Sequence, residues 1–229
     1  MNFPSPDIRN EYGLIHRFSG FTLSELLVVL VIIGIIIGFT APAFNSALHG
    51  SQLTQGAQML SDQLVVARQT ALSSDQTVEV RFYKYGDSQM PGESASNPAA
   101  GKYRALQAFQ IQSSGTAVPL NKPQVIPASI IIDSGTTLSS LTASSQIKTT
   151  WTTADPQVIL PHGIGTNYIC AAFRFMPDGS TNLTPPTNQW FVTLHNITDT
   201  DGMSAPPAGF NFFTVQIDPV NGHIKNYRP

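Results

Sequence analysis

Residues 21–44 read FTLSELLVVLVIIGIIIGFTAPAF, an apolar run in which Glu25 is the single charged side chain. At ~1.5 Å of rise per residue these roughly 24 residues make a helix about 36 Å long, enough to cross a ~30 Å hydrocarbon core. Such a stretch needs a membrane or another apolar partner. Arg9 and Arg17 precede it, and no Lys or Arg follows until Arg68. That bias places the leader in the cytoplasm and the bulk of the chain outside it.

Composition sets further bounds. The 229 residues carry 12 Lys+Arg against 14 Asp+Glu, only 11% charged side chains, and one cysteine. Soluble domains average about 25% charged residues, so Ser, Thr, Gln and Asn must cover much of this surface. A polycationic nucleic-acid coat, an internal disulfide framework and a cysteine-based zinc module are excluded. The mean hydropathy of +0.01 averages one strongly apolar segment with a polar remainder.

Beyond the apolar run, Leu53, Ala57, Leu60, Leu64, Ala67 and Ala71 recur at alternating spacings of four and three, which marks one face of an amphipathic helix. Ser51, Gln52, Gln55, Gln58, Asp62 and Gln63 fall on its other faces. A single helix is therefore expected over 22–73, kinked at Pro42, where the ladder loses an N–H. Strand patterns follow at 77–83, 104–112, 129–132, 157–160, 168–175, 189–196, 212–218 and 223–227. Segments 85–101 and 134–145 read as surface loops. The fold class is α+β, with the long helix packed on a mainly antiparallel sheet.

Three fates suit the N-terminal segment. It is a secretory signal cut at Ala41-Pro42-Ala43 before Phe44, a simple uncleaved anchor, or a prepilin-type segment. The junction Arg17-Phe18-Ser19-Gly20, then Phe21-Thr22-Leu23-Ser24-Glu25-Leu26-Leu27, closely resembles the last of these, the N-terminus of type IV pilins and of type II secretion pseudopilins. The resemblance implies peptidase cleavage after Gly20, N-methylation of Phe21, and assembly through Glu25, Leu26, Leu27, Gly34 and Pro42. A carboxylate at membrane depth costs roughly 2.5–3.5 kcal/mol and usually has a partner. Glu25 lies four residues from the amine that cleavage creates at Phe21, so it can neutralise that group on its own chain or on a neighbour.

In the head, Leu64-Val65-Val66-Ala67-Arg68-Gln69-Thr70-Ala71 with the following strand resembles the GspH/FimT-type minor pseudopilins. So do the turn Phe175-Met176-Pro177-Asp178-Gly179 and the closing hairpin 215–225, whose Asn221-Gly222 suits a type I′ turn. The implied organisation is a leader at 1–20, a membrane and filament-core helix at 21–44, and an exported head at 45–229. The implied partners are a prepilin peptidase, other pilin or pseudopilin subunits, the inner-membrane assembly platform and the membrane itself.

Catalytic patterns do not emerge. The histidines His16, His49, His162, His195 and His223 lack metal-site spacing, and no Walker, Gly-x-Ser-x-Gly or His-Glu-x-x-His sequence occurs. No cofactor is expected, and the chain reads as a structural subunit, not an enzyme. Asp199 and Asp201 resemble the start of a calcium loop without its later ligands. His223, Lys225 and Arg228 form a small basic tail near Tyr227, a candidate nucleic-acid contact and the basis of an alternative DNA-uptake role. Two firm charges on a chain of net charge −2 weigh against it. The remaining alternative is an exported or anchored β-rich binding protein or enzyme that uses the segment only as signal. Cys170, in an apolar strand, is read as a buried inert thiol.

Overall fold

The computed structural model describes residues 20–184, 189–205 and 211–228, with backbone alone for 39–47. The chain divides into two units, Met1–Asn45 and Ser46–Pro229. One helix, α1, runs through Leu23–Ser74. Pro42 lies in the backbone-only stretch 39–47, so the expected kink there has no side-chain description. The helix stops where Asp75 adopts a left-handed φ of 53°, a frequent ending for a helix although usually made by glycine.

In the second unit the periodic face does what its spacing requires. Leu53, Ala57, Leu60, Leu64, Ala67 and Ala71 are all essentially inaccessible, packed on one face of a nine-stranded sheet. Gly56 permits the closest approach: a Cβ there would lie 3.3 Å from Ile126 and 3.6 Å from Leu194. The strands are β1 (Thr77–Tyr85), β2 (Lys102–Ile111), β3 (Ala117–Pro119), β4 (Gln124–Val125), β5 (Ile130–Ile132), β6 (Ile169–Phe175), β7 (Trp190–Asn196), β8 (Phe213–Ile217) and β9 (Ile224–Tyr227). They run β6-β1-β2-β5-β7-β8-β9, with β3 and β4 also paired to β2. Every pairing is antiparallel, as the alternating patterns imply.

Strand alternation sorts β1 into two environments. Val78, Val80 and Phe82 join the core beneath the helix. Tyr83 joins a second apolar cluster with Tyr85, Ala105, Leu160, Ile164, Tyr168 and Cys170, against which Trp151 and Val158 pack. Irregular chain from 144–168 therefore covers the sheet's other face over β1 and β6. The two layers differ in kind: helix on one side, loops on the other.

Several expectations change here. Residues 157–160 form no strand; Pro156 and Pro161 bracket the segment, which pairs only through a Leu160 to Gly165 bridge. The Val158 N–H instead donates to the Tyr168 hydroxyl at 2.8 Å. The short strands β3 and β4 lie in a stretch with no clear alternation. Segment 134–145 is not a surface loop, since Leu138, Ser139, Leu141 and Thr142 are buried. The Asn221-Gly222 turn is not type I′, because only Gly222 has positive φ. Asp218 N–H bonds the His223 carbonyl and Gly222 N–H the Asp218 carbonyl, which closes a longer loop begun at Pro219.

Candidate functional site

The N-terminal junction is built by local hydrogen bonding. Thr22 caps α1: its Oγ1 accepts the Glu25 N–H at 3.2 Å, while the Glu25 carboxylate accepts the Thr22 N–H at 2.9 Å and its hydroxyl at 2.8 Å. This is a reciprocal capping box, whose Thr-x-x-Glu signature stands in the sequence, merged there with the start of the apolar run. Glu25 in the uncut chain is thus already engaged. Pairing with an amine at Phe21 requires a terminus that only cleavage supplies.

Around this cap the side chains face outward. Phe21 is 82% exposed, and Leu26 through Ile33 and Ile35 through Ile37 are exposed at every successive position, hence on all faces of the helix. A Cβ added at Gly20 or Gly34 would meet nothing within 4 Å, so no packing within the chain demands glycine there. Among the described residues no helix is long and apolar enough to cross a membrane. The described apolar side chains stop at residue 38, whereas the apolar sequence continues to Phe44 and a span needs ~20 residues.

The second unit contains two buried ionic networks that no sequence pattern reveals. On β1, Glu79 accepts from Arg81 Nε at 2.7 Å, from Lys148 at 3.0 Å and from Arg174 at 2.8 Å, while Asp155 bonds both Arg81 and Lys148. Burial opposes the Glu79 charge, but Arg81 and Lys148 outweigh it and hold its pKa below the ordinary value. The Arg81 guanidinium lies 3.8 Å over the Phe109 ring, which partly compensates a buried Nη1 with no hydrogen-bond partner. The network pins the covering chain around Trp151 to the sheet.

The second network joins Asp133, His195 and Asp201, whose ligand atoms lie within 4.8 Å of one another. Asp133 accepts from Gly135 N–H at 2.7 Å and Gly202 N–H at 3.0 Å, and Asp201 from Ser134 N–H at 2.7 Å and Lys102 at 3.1 Å. His195 Nδ1 faces the Asn196 carbonyl at 2.9 Å and Nε2 faces Asp133 at 3.1 Å, so both nitrogens meet acceptors, an arrangement that favours the charged ring and raises its pKa. These carboxylates are satisfied by protein partners, Lys102 and His195 among them. Asp199 stands apart, 3.9 Å from His195 Nδ1. Of the two aspartates that resemble the start of a calcium loop, Asp201 belongs to the group with Asp133 and His195 and Asp199 does not.

The basic tail is also divided. Lys225 and His223 line the hollow beside Asp218, whereas Arg228 turns toward α1 and donates to Thr54 Oγ1 at 2.8 Å. Cys170 is buried, and burial pushes its thiol up to about 12, consistent with an inert side chain. His49 bonds Asn196, and His16 lies outside the described residues.

Residues 15–41 match the family described as the prokaryotic N-terminal methylation motif. That stretch includes Gly20, Phe21 and Glu25. Two solved structures are similar over much of the chain. The minor pseudopilin EpsH from the type 2 secretion system of Vibrio cholerae is 10% identical, covering 78% of this chain and 98% of its own, with a TM-score of 0.40. The type IV minor pilin FimU of Pseudomonas aeruginosa is 13% identical, covering 77% and 89%, with a TM-score of 0.39. At such values the functional reading rests on the N-terminal motif.

Proposed function

We propose, from the premise that this chain has the prepilin-type N-terminus of the type IV pilin and pseudopilin family, that it is a minor structural subunit of a type IV pilus or type II secretion pseudopilus. The observation that carries the reading is the methylation motif over 15–41, with Gly20, Phe21 and Glu25 inside it. In this reading a prepilin peptidase cuts after Gly20 at the cytoplasmic face and Phe21 is methylated. Residues 21–44 then anchor the subunit in the inner membrane until the assembly platform transfers it into a filament. The head at 45–229 stays outside.

The all-round exposure of the helix at 26–37 supports the mechanism, since such a surface is stable only against lipid or neighbouring helices. Gly34 lets a neighbour's backbone approach. Glu25 exchanges its Thr22 cap for the new amine at Phe21, within its own subunit or the next, and this fixes register. The proposed role is structural and non-enzymatic.

N-terminal sequencing and mass spectrometry of the mature protein test it. Methylated Phe21 is the expected terminus; Phe44 would indicate an ordinary secretory signal, and Met1 a simple anchor. Glu25→Ala is expected to be processed normally yet absent from sheared filaments. Its normal incorporation would remove the register role.

A further inference from the structure

Among the described residues, the covering loops leave one part of the sheet open. On the face of β7, β8 and β9 turned away from α1, strand register sets two rows of side chains. Phe191, Gln216 and Lys225 form one, and Thr214 and Tyr227 the other, with Thr193 buried beside Thr214. Gln189 borders them. The first hollow, about 430 Å³, is lined by Gln189, Phe191, Thr214, Gln216 and Tyr227. The second, about 230 Å³, shares Gln189 and Gln216 and continues to Asp218, His223 and Lys225. The two form one shallow trough. Its β7 wall is fixed, because Ser140 Oγ accepts the Phe191 N–H at 2.9 Å and donates to the Gln189 carbonyl at 2.8 Å.

The chemistry of the lining narrows the ligand. Among the described residues the Gln189 and Gln216 amides, the Tyr227 hydroxyl and Lys225 Nζ have no protein hydrogen-bond partner. Each amide offers two donors and an acceptor in one plane, a match for adjacent hydroxyls that both donate and accept. Phe191 and the half-exposed Tyr227 line the larger hollow and add aromatic surface for apolar C–H groups. Charge is nearly balanced, with Lys225 against Asp218, so a polyanion finds one firm cation and a polycation one carboxylate. A ligand that is uncharged, rich in hydroxyls and flat on one apolar face fits this trough.

We propose that the outer face of β7, β8 and β9 binds a neutral oligosaccharide, with Gln189 and Gln216 holding its hydroxyls and Tyr227 stacking on a sugar ring.

The test uses the full chain in a zwitterionic detergent that has no sugar headgroup, titrated calorimetrically with cellotetraose, maltotetraose and chitotetraose. At least one is expected to bind with a Kd below about 1 mM, and Tyr227→Ala and Gln216→Ala each to weaken it by roughly tenfold. Circular-dichroism melts establish that the variants fold; should Tyr227→Ala fail to fold, Gln189→Ala takes its place. Absence of binding by all three sugars overturns the proposal, as does binding that the folded variants leave unchanged. A twelve-residue oligothymidylate serves as the competing probe. Salt-sensitive binding of that probe, lost in Lys225→Ala without any saccharide binding, would also overturn it and assign the trough to nucleic acid.

Discussion

The surroundings of the buried His195 raise its affinity for a proton. Burial disfavours its charged ring, but the hydrogen bonds to Asp133 and to the Asn196 carbonyl, with Asp199 nearby, outweigh burial and raise its pKa. A raised folded-state pKa contributes stability that is fully present below the unfolded value of ~6.5 and disappears as pH rises through the folded value. Thermal melts of the chain should therefore show a falling midpoint as pH climbs above about 6.5, and His195→Gln should flatten that slope. Glu79 has the opposite sign. Its lowered pKa gives stability present above ~4.3 that is lost on acidification, and Glu79→Gln, which leaves three cations short of their acceptor, should cost about 3–5 kcal/mol in urea unfolding at neutral pH. A loss below about 1 kcal/mol would show that Asp155 alone satisfies the network.

Among the elements, the helix is the most legible from sequence and the covering loops the least. The periodic face 53–71 declares itself because one packed surface imposes a 3.6-residue repeat. The long strands β1, β2, β6, β7 and β8 likewise alternate. Strands β3 and β4 are too short to show a period, and their pairing depends on β2, whose partner residues no local pattern marks. The Glu79 and Asp133 networks stay hidden for a related reason: each draws partners from segments separated by scores of residues. Pro156 and Pro161 are the local signal against a strand at 157–160, and they outweigh its apolar content. At the junction, the Thr22 to Glu25 capping box is written in the sequence, but a lone carboxylate beside an apolar span points first to the membrane and only second to a helix cap.

Two turns separate backbone strain from crowding. Gly222 has a φ of +65°, and a Cβ there would sit 2.4 Å from the Gly179 carbonyl oxygen of the neighbouring turn and 3.1 Å from Arg68 Nε. Gly222→Ala thus combines backbone strain with a clash against backbone, and a loss above about 3 kcal/mol is expected in denaturant titration. Gly115, with a φ of +81° and open space around it, isolates the conformational cost; Gly115→Ala should lose only about 1–2 kcal/mol. Equal losses would mean that the Gly179 turn simply moves aside. In the helix, Leu60→Ala should cost about 2–5 kcal/mol, as the side chain is wholly enclosed.

For the molecule as a whole, the second unit is one cooperative body, because helix residues 53–71 and the strands share a single core. The far-ultraviolet helix signal of that unit and the near-ultraviolet signal of the buried Trp190 should be lost in one coincident transition. Leu60→Ala should lower both together, and separate midpoints would show that the sheet persists without the helix.

The way β9 meets α1 has a consequence in time. Asn226 bonds Ser61 across 165 residues and Arg228 bonds Thr54 across 174, so the element formed earliest in chain order is clasped by the one formed late. During synthesis, the helix face that will meet β9 waits uncovered until that strand has emerged. Contacts so distant in sequence close slowly. A chain held in this half-finished condition presents its apolar stripe to chaperones or to aggregation.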